Sequence, residues 1–343
     1  MRILYPFIAV LALVLIALVG ANLPGGQALI GVVLPYVAFL IFLGGFVAKI
    51  LGWAKSPVPF RIPTTCGQEK SLSWIPQNCI DNPSTRGGVV IRMILEIFLF
   101  RSLFRNTKTE IHDGPKLVYG SSKYLWLFGL LFHYCFLTIV IRHLRLFTTP
   151  VPFFVSVTEY LDGFFQVGLP VLYQTDIIFV LAITFLFLRR VIMPQVRYIS
   201  LPADYFPLFL IMGIAITGIL MRYFLRADIV SIKQLTMGLV TFSPSIKEGI
   251  SSVFFIHLFL VCVLLAYFPF SKLMHLGGVF LSPTRNMTNN SRMVRHENPW
   301  NDPNIKPHSY AHYEDEFREF MVEAGLPVDK GLPPSADEDP AEK

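Results

Sequence analysis

Charge is what this chain has least of. Of its 343 residues only 15% are Asp, Glu, Lys or Arg, against about 25% in a soluble domain. Cysteine is also scarce: Cys66, Cys79, Cys135 and Cys262 are all there are, and no two stand as CxxC. That excludes a zinc ribbon or a thioredoxin-like motif, and the absence of CxxCH excludes thioether attachment of a haem. Internal repeats and low-complexity blocks are missing, so a solenoid is excluded. No Ala-x-Ala site follows the apolar run after Arg2, so that run reads as a retained anchor rather than a cleaved signal peptide.

What is present instead is hydrocarbon. Apolar residues make up 53% of the chain, with Phe alone at 31. Six stretches are near the ~20 apolar residues that cross ~30 Å of bilayer core: 3–20, 28–52, 123–147, 172–193, 204–225 and 248–271. The fold class expected is therefore an all-α polytopic transmembrane bundle, in which water-soluble core arithmetic does not apply. Two further segments are apolar but broken by charge. Residues 88–105 carry Arg92 and Glu96 and suit a helix lying in the interface. Residues 150–170 carry Glu159 and Asp162 between aromatics and suit a short amphipathic or re-entrant piece.

Basic residues set the expected orientation. The 53–122 loop holds Lys55, Arg61, Lys70, Arg86, Arg92, Arg101, Arg105, Lys108 and Lys116, and Arg189, Arg190 and Arg197 follow the fourth span. Residues 148–171 contain neither Lys nor Arg. The positive-inside rule then puts both termini and both basic loops in the cytoplasm of a multi-pass protein of the cytoplasmic membrane. Arg226, Lys233 and Lys247 run against this without reversing it. The net charge of +6 is thus a topology signal and not a nucleic-acid one. In such a loop Cys66 and Cys79 read as free thiols ahead of a disulfide or metal role, and Cys135 and Cys262 as packing residues within spans. The expected organisation is an anchor at 1–27, a membrane domain at 28–282 and a cytoplasmic tail at 283–343. Within that tail, 313–324 suits a short acidic helix and the end suits disorder.

Four histidines carry the chemistry. His133 and His143 lie in the third span, and His257 and His275 lie in and at the end of the sixth. Ionisable groups inside a membrane are expensive and default to a functional reading. One such histidine is as readily a hydrogen-bonding core residue; four confined to two segments are not. They are what two bis-histidine b-type haems require, one axial imidazole on each side of each iron. Eighteen positions turn ~1800°, so His257 and His275 face one way, while ten positions leave His133 and His143 within ~80° of each other. Spans three and six run oppositely, which pairs His133 with His275 near the cytoplasm and His143 with His257 toward the outside. Straight helices conflict with this, because the axial separations are ~15 Å and ~27 Å. A kink at Pro269 is one way to absorb the difference. Arg142, Arg145, Arg222 and Arg226 near the outer ends suit either haem propionates or interfacial snorkelling.

The spacing of these histidines on the second and last helices of a five-helix unit resembles the gamma subunit family of respiratory nitrate reductase, over residues about 28–280. The loop text RIPTTCGQEKSLSWIPQN and the tail text HENPWNDPN resemble the family of the M subunit of the sulfite-reduction-associated membrane complex, also called Hme C. The resemblance implies two haem b held by His133, His143, His257 and His275, with menaquinone or menaquinol as substrate. It also implies a cytoplasmic iron–sulfur partner subunit, other membrane subunits and a periplasmic cytochrome, in an electron-transfer role tied to sulfite or sulfur respiration. The lysine that nitrate reductase gamma subunits place in the outer loop after the third span has no counterpart here. Glu159 and Asp162 are the acidic residues nearest the outer haem in sequence and the candidates for a quinol proton acceptor. A membrane anchor without redox role, or a proton-relay transporter subunit, is the competing expectation. Paired broken helices and inverted repeats, which would favour transport, are not found.

Overall fold

The computed structural model describes residues 2–56, 58, 61–62, 67–163, 170–293, 306 and 308–331. Cys66 and part of the RIPTTCGQEKSLSWIPQN segment lie outside these. The chain divides into two compact units, Met1–Met293 and Val294–Lys343. Residues 283–293 therefore fold with the membrane unit.

Six long helices build the first unit. They are α1 (Leu4–Asn22), α2 (Gly26–Ala54), α3 (Lys123–Leu146), α4 (Gln174–Ile192), α5 (Pro202–Phe224) and α6 (Ser252–Phe270). All but α4 are long and apolar enough throughout to cross a membrane. The fourth is 19 residues long, with Asp176 in its first turn and Arg189 and Arg190 in its last. Those charges stand at the ends, where interfaces and the helix dipole favour them. The chain is a multi-pass helical membrane protein.

The helices pack as small residues allow. Ala17 and Ala21 on α1 are fully covered, while Leu11, Leu15 and Val19 of the same helix are exposed. A helix bare on its apolar side fits a lipid solvent, where close backbone approach rather than hydrophobicity drives association. The α1–α2 connection is tight: Gly25 has φ 73, a conformation costly for any side chain. One core joins α1, α5 and α6 through Val10, Ala17, Leu210, Ile256 and Leu260. Another joins α3, α4 and α5 through Cys135, Phe179, Ile183 and Ile211. By contrast α3, which carries His133 and His143, and α6, which carries His257, are not among the closely packed helix pairs.

The two ambiguous segments are both helical. Arg86–Leu99 is a strongly amphipathic helix. Its C-terminal carbonyls accept from α3: Trp126 Nε1 donates to Leu99 O (2.7 Å) and Tyr134 Oη to Phe98 O (2.9 Å). Phe153–Asp162 is a second short helix. Two elements were not anticipated, an antiparallel hairpin of β1 (Thr107–His112) and β2 (Lys116–Ser121) and a helix at Ile229–Val240. Asp228 caps that helix, accepting from Val230 N and Ser231 N.

The basic loop is tied down. Buried Arg61 donates to Asn82 Oδ1 (2.7 Å) and to Thr284 O (3.1 Å). Asp81 receives Arg101 Nε at 2.9 Å and also pairs with Arg105. In the second unit the helix Tyr310–Glu323 buries Glu314, which accepts the backbone N–H groups of Asp329 and Lys330, both at 2.8 Å. These bonds, that of Asp329 first, hold its carboxyl below the usual carboxylate range.

Candidate functional site

The α6 helix does not continue to His275. It passes into a 3-10 turn at Phe268–Phe270, an extended Ser271 (φ −123, ψ 175) and a second 3-10 turn at Lys272–Met274. Proline cannot donate into the helix ladder and clashes with the preceding turn, and Pro269 stands where the ladder ends. Gly45 of α2 admits the bend, since a Cβ there would come within 2.7 Å of Pro269 Cβ. Lys272 then ties the segment to α5 through Asp204 Oδ1 (2.6 Å). The break takes His275 off the straight extension of α6.

The histidines meet in the expected pairs. The rings of His133 and His275 have centres 5.9 Å apart with planes crossed at 83°. Those of His143 and His257 are 6.4 Å apart and nearly parallel, at 10°. An imidazole nitrogen stands ~2 Å from a bound transition metal, and ~1 Å more reaches each ring centre, so two axial imidazoles on one iron have centres ~6 Å apart. Both pairs fit that distance. Helices in contact have axes 8–10 Å apart, and the separation of α3 from α6 leaves these rings to meet between them.

Each ring also has one nitrogen engaged. His133 Nδ1 is 2.7 Å from Gly129 O and His143 Nδ1 is 2.7 Å from Ile139 O, each one turn back along α3. His275 Nδ1 is 2.9 Å from Lys272 O. His257 Nδ1 is 2.9 Å from Thr217 Oγ1, whose own hydroxyl lies 2.9 Å from Gly213 O. An N–H donated from Nδ1 leaves Nε2 as the lone-pair nitrogen, the tautomer a metal ligand needs. Thr217 was not legible beforehand, because a threonine bonding to its own helix gives no distinctive sequence signal.

Beyond His143 lies a polar cluster. Arg142 is buried and pairs with Asp162 Oδ2 (3.1 Å) and Asp176 Oδ1 (2.7 Å). Asp162 also accepts from Thr175 N (2.9 Å) and Thr175 Oγ1 (2.7 Å). The Tyr173 ring is sandwiched between the guanidinium carbons of Arg142 (3.7 Å) and Arg222 (3.9 Å). Tyr223 Oη donates to Asp176 Oδ2 (2.8 Å) and accepts from Tyr173 N (3.0 Å). Glu159 lies apart from this cluster, paired with Arg145 at 2.9 Å. Arg142, Arg145 and Arg222 thus have protein partners. Of the cysteines, Cys79 is exposed and free, and Cys135 and Cys262 are buried and free.

Residues 101–297 match the family described as nitrate reductase gamma subunit, a range that includes all four histidines. The chain is 45% identical over 278 residues to the Hdr-like menaquinol oxidoreductase cytochrome b-like subunit of Archaeoglobus profundus, covering 79% of this chain and 82% of that protein. It is 44% identical over 282 residues to the protein of the same description from Archaeoglobus fulgidus, covering 80% and 84%. With more than half of its length in the family match and all four intramembrane histidines inside it, the chain belongs to the nitrate reductase gamma subunit family.

Proposed function

We propose that this chain is a di-haem cytochrome b that takes electrons from menaquinol and passes them to a cytoplasmic iron–sulfur partner subunit. The observation that carries the reading is the pairing of His133 with His275 and of His143 with His257 at the separation two axial ligands need. A bound haem at each pair supplies a one-electron iron couple. The protein supplies two imidazoles per iron, their Nδ1 hydrogen bonds and an apolar surround. The quinol is oxidised on the outer side, in the region of Glu159 and Asp162, because the inner pair must face the acceptor. Electrons then move inward while protons leave outward, and turnover is electrogenic.

The menaquinol substrate is supported by the descriptions of the two relatives. The iron–sulfur partner, the further membrane and periplasmic cytochrome subunits and the link to sulfite or sulfur respiration follow from the loop and tail resemblance. Both termini, the 53–122 loop and the tail lie in the cytoplasm in this reading, on the inner face of the cytoplasmic membrane. An anchor without redox role would not require every imidazole to present a free Nε2, and a transporter would not require opposed pairs.

The test is the visible spectrum of the detergent-purified chain. Dithionite reduction should give b-type bands at two haems per chain. His143→Ala and His257→Ala should each remove the same haem, and His133→Ala and His275→Ala the other. A protein without b-type absorbance overturns the reading, and loss of different haems from His143→Ala and His257→Ala overturns the pairing.

A further inference from the structure

We infer that the second unit carries a divalent transition-metal site, for Zn²⁺ or an ion of similar preference, made by His308, His312 and Glu316. The three follow one another at four-residue steps (312 − 308 and 316 − 312). Four residues turn ~400° and rise ~6 Å along a helix, so such a row shares a face but spreads over ~12 Å. The side chains draw together against that spread. One ligand atom from each, an imidazole nitrogen or a carboxylate oxygen, lies within 4.8 Å of those of the other two. The rings of His308 and His312 have centres 4.5 Å apart, with planes tilted at 31°. The backbone explains how His308 joins. It precedes the helix Tyr310–Glu323, whose cap Ser309 is extended (φ −74, ψ 159) and accepts from His312 N at 3.2 Å. The chain turns there, and His308 lies against the first turn of the helix at His312.

The donor set selects the ion. Two imidazoles and one carboxylate suit Zn²⁺, Ni²⁺ or Cu²⁺, whereas Mg²⁺ and Ca²⁺ take oxygen ligands. Around a tetrahedral Zn²⁺ with bonds of ~2.1 Å, ligand atoms stand ~3.4 Å apart. All three side chains are exposed, so rotation about their own bonds closes the set by that small amount. Three protein ligands leave a fourth position to water. The carboxylate is a necessary member, because the helix dipole opposes a cation in the first turns of a helix. Glu316 is also available. Its acidic neighbours are taken: Glu314 accepts from Arg318 Nε at 3.1 Å and from two backbone N–H groups, and Asp315 pairs with Lys330 Nζ at 2.9 Å and with Arg318. Among the described residues no cation pairs with Glu316, and neither imidazole makes a hydrogen bond. A bound ion would fasten His308, outside the helix, to its first two turns and so fix where the helix begins.

The experiment uses the full chain in detergent, purified on a tag free of histidine, and equilibrium dialysis against Zn²⁺ followed by zinc analysis. The parent chain should bind one more Zn²⁺ than His308→Ala or His312→Ala. Glu316→Gln should weaken that ion by more than the ~10–100-fold that loss of an outer-shell partner causes. His112→Ala removes an exposed histidine of the β1–β2 hairpin and should leave binding unchanged. Mg²⁺ in excess should not displace the ion. Equal Zn²⁺ uptake by the parent and the three site variants overturns the site. Undiminished affinity in Glu316→Gln overturns the three-ligand assignment. An equal loss in His112→Ala overturns it too, by showing general binding to surface histidines, and displacement by Mg²⁺ overturns the choice of ion. The four paired histidines belong to the other unit and are the same in every variant, so the comparison stands whether or not the haem reading does.

Discussion

In the proposed di-haem reading, His257 is the ligand whose orienting hydrogen bond comes from a side chain. Its Nδ1 is bonded to Thr217 Oγ1, whereas the other three histidines use backbone carbonyls. A hydroxyl can be removed by mutation and a carbonyl cannot, so Thr217 is where the effect of this bond becomes measurable. Donating Nδ1–H makes the imidazole a stronger electron donor and favours the oxidised iron. Thr217→Val keeps the size of the side chain and removes the acceptor. The outer haem should then show a higher midpoint potential in a redox titration, with affinity lowered by the 10–100-fold typical of lost outer-shell partners. The inner haem should be unmoved. Equal shifts at both haems, or none, would show that the Thr217 bond does not tune the site.

At the scale of elements, two departures from ideal helix build the site. The first is the break after Pro269, which lets one nominal span present His257 and His275 to partners that are closer together on α3. Gly45 is its counterpart. Any side chain there meets Pro269, and overpacking of this kind costs about 1–3 kcal/mol. Gly45→Val should push the broken segment aside and lower occupancy of the inner haem, measured as haem per chain, while the outer haem stays full. Retention of both would mean that α2 yields without moving His275. The second departure is the π turn that ends α5 at Leu220–Phe224. Such turns recur at functional sites, and this one carries Arg222 and Tyr223, which meet Tyr173 and Asp176. Neither device follows from hydropathy, which measures how apolar a segment is and not how its carbonyls are paired.

At the scale of the whole molecule, orientation rests on loop charge, and the hairpin between the second and third long helices gives a clean place to test it. A reporter inserted at Pro115, in the β1–β2 turn, should be active only on the cytoplasmic side. Periplasmic activity would invert α3 and exchange the inner and outer haems. The tail offers a second test, on the partner. Because residues 283–293 fold with the membrane unit, where Asn289 N donates to Pro83 O at 2.8 Å, the informative truncation removes 294–343. It should release the iron–sulfur subunit and leave both haems; continued co-purification would take the second unit out of the interface. The sequence by itself determined the solvent, the number of long helices and the identity of the four histidines. Apolar run length and the cost of a buried imidazole are local properties, readable one segment at a time. The helical turn also predicted which rings belong together, since period and helix direction follow from counting. Only the tertiary structure decided that α3 and α6 stand apart with the histidine rings meeting between them, that Thr217 supports His257, and that Asp176 and Tyr223 join Arg142 in one polar cluster. Those are contacts between residues remote in the chain, fixed by a proline break, a π turn and a glycine clearance whose effects exist only once the helices are packed.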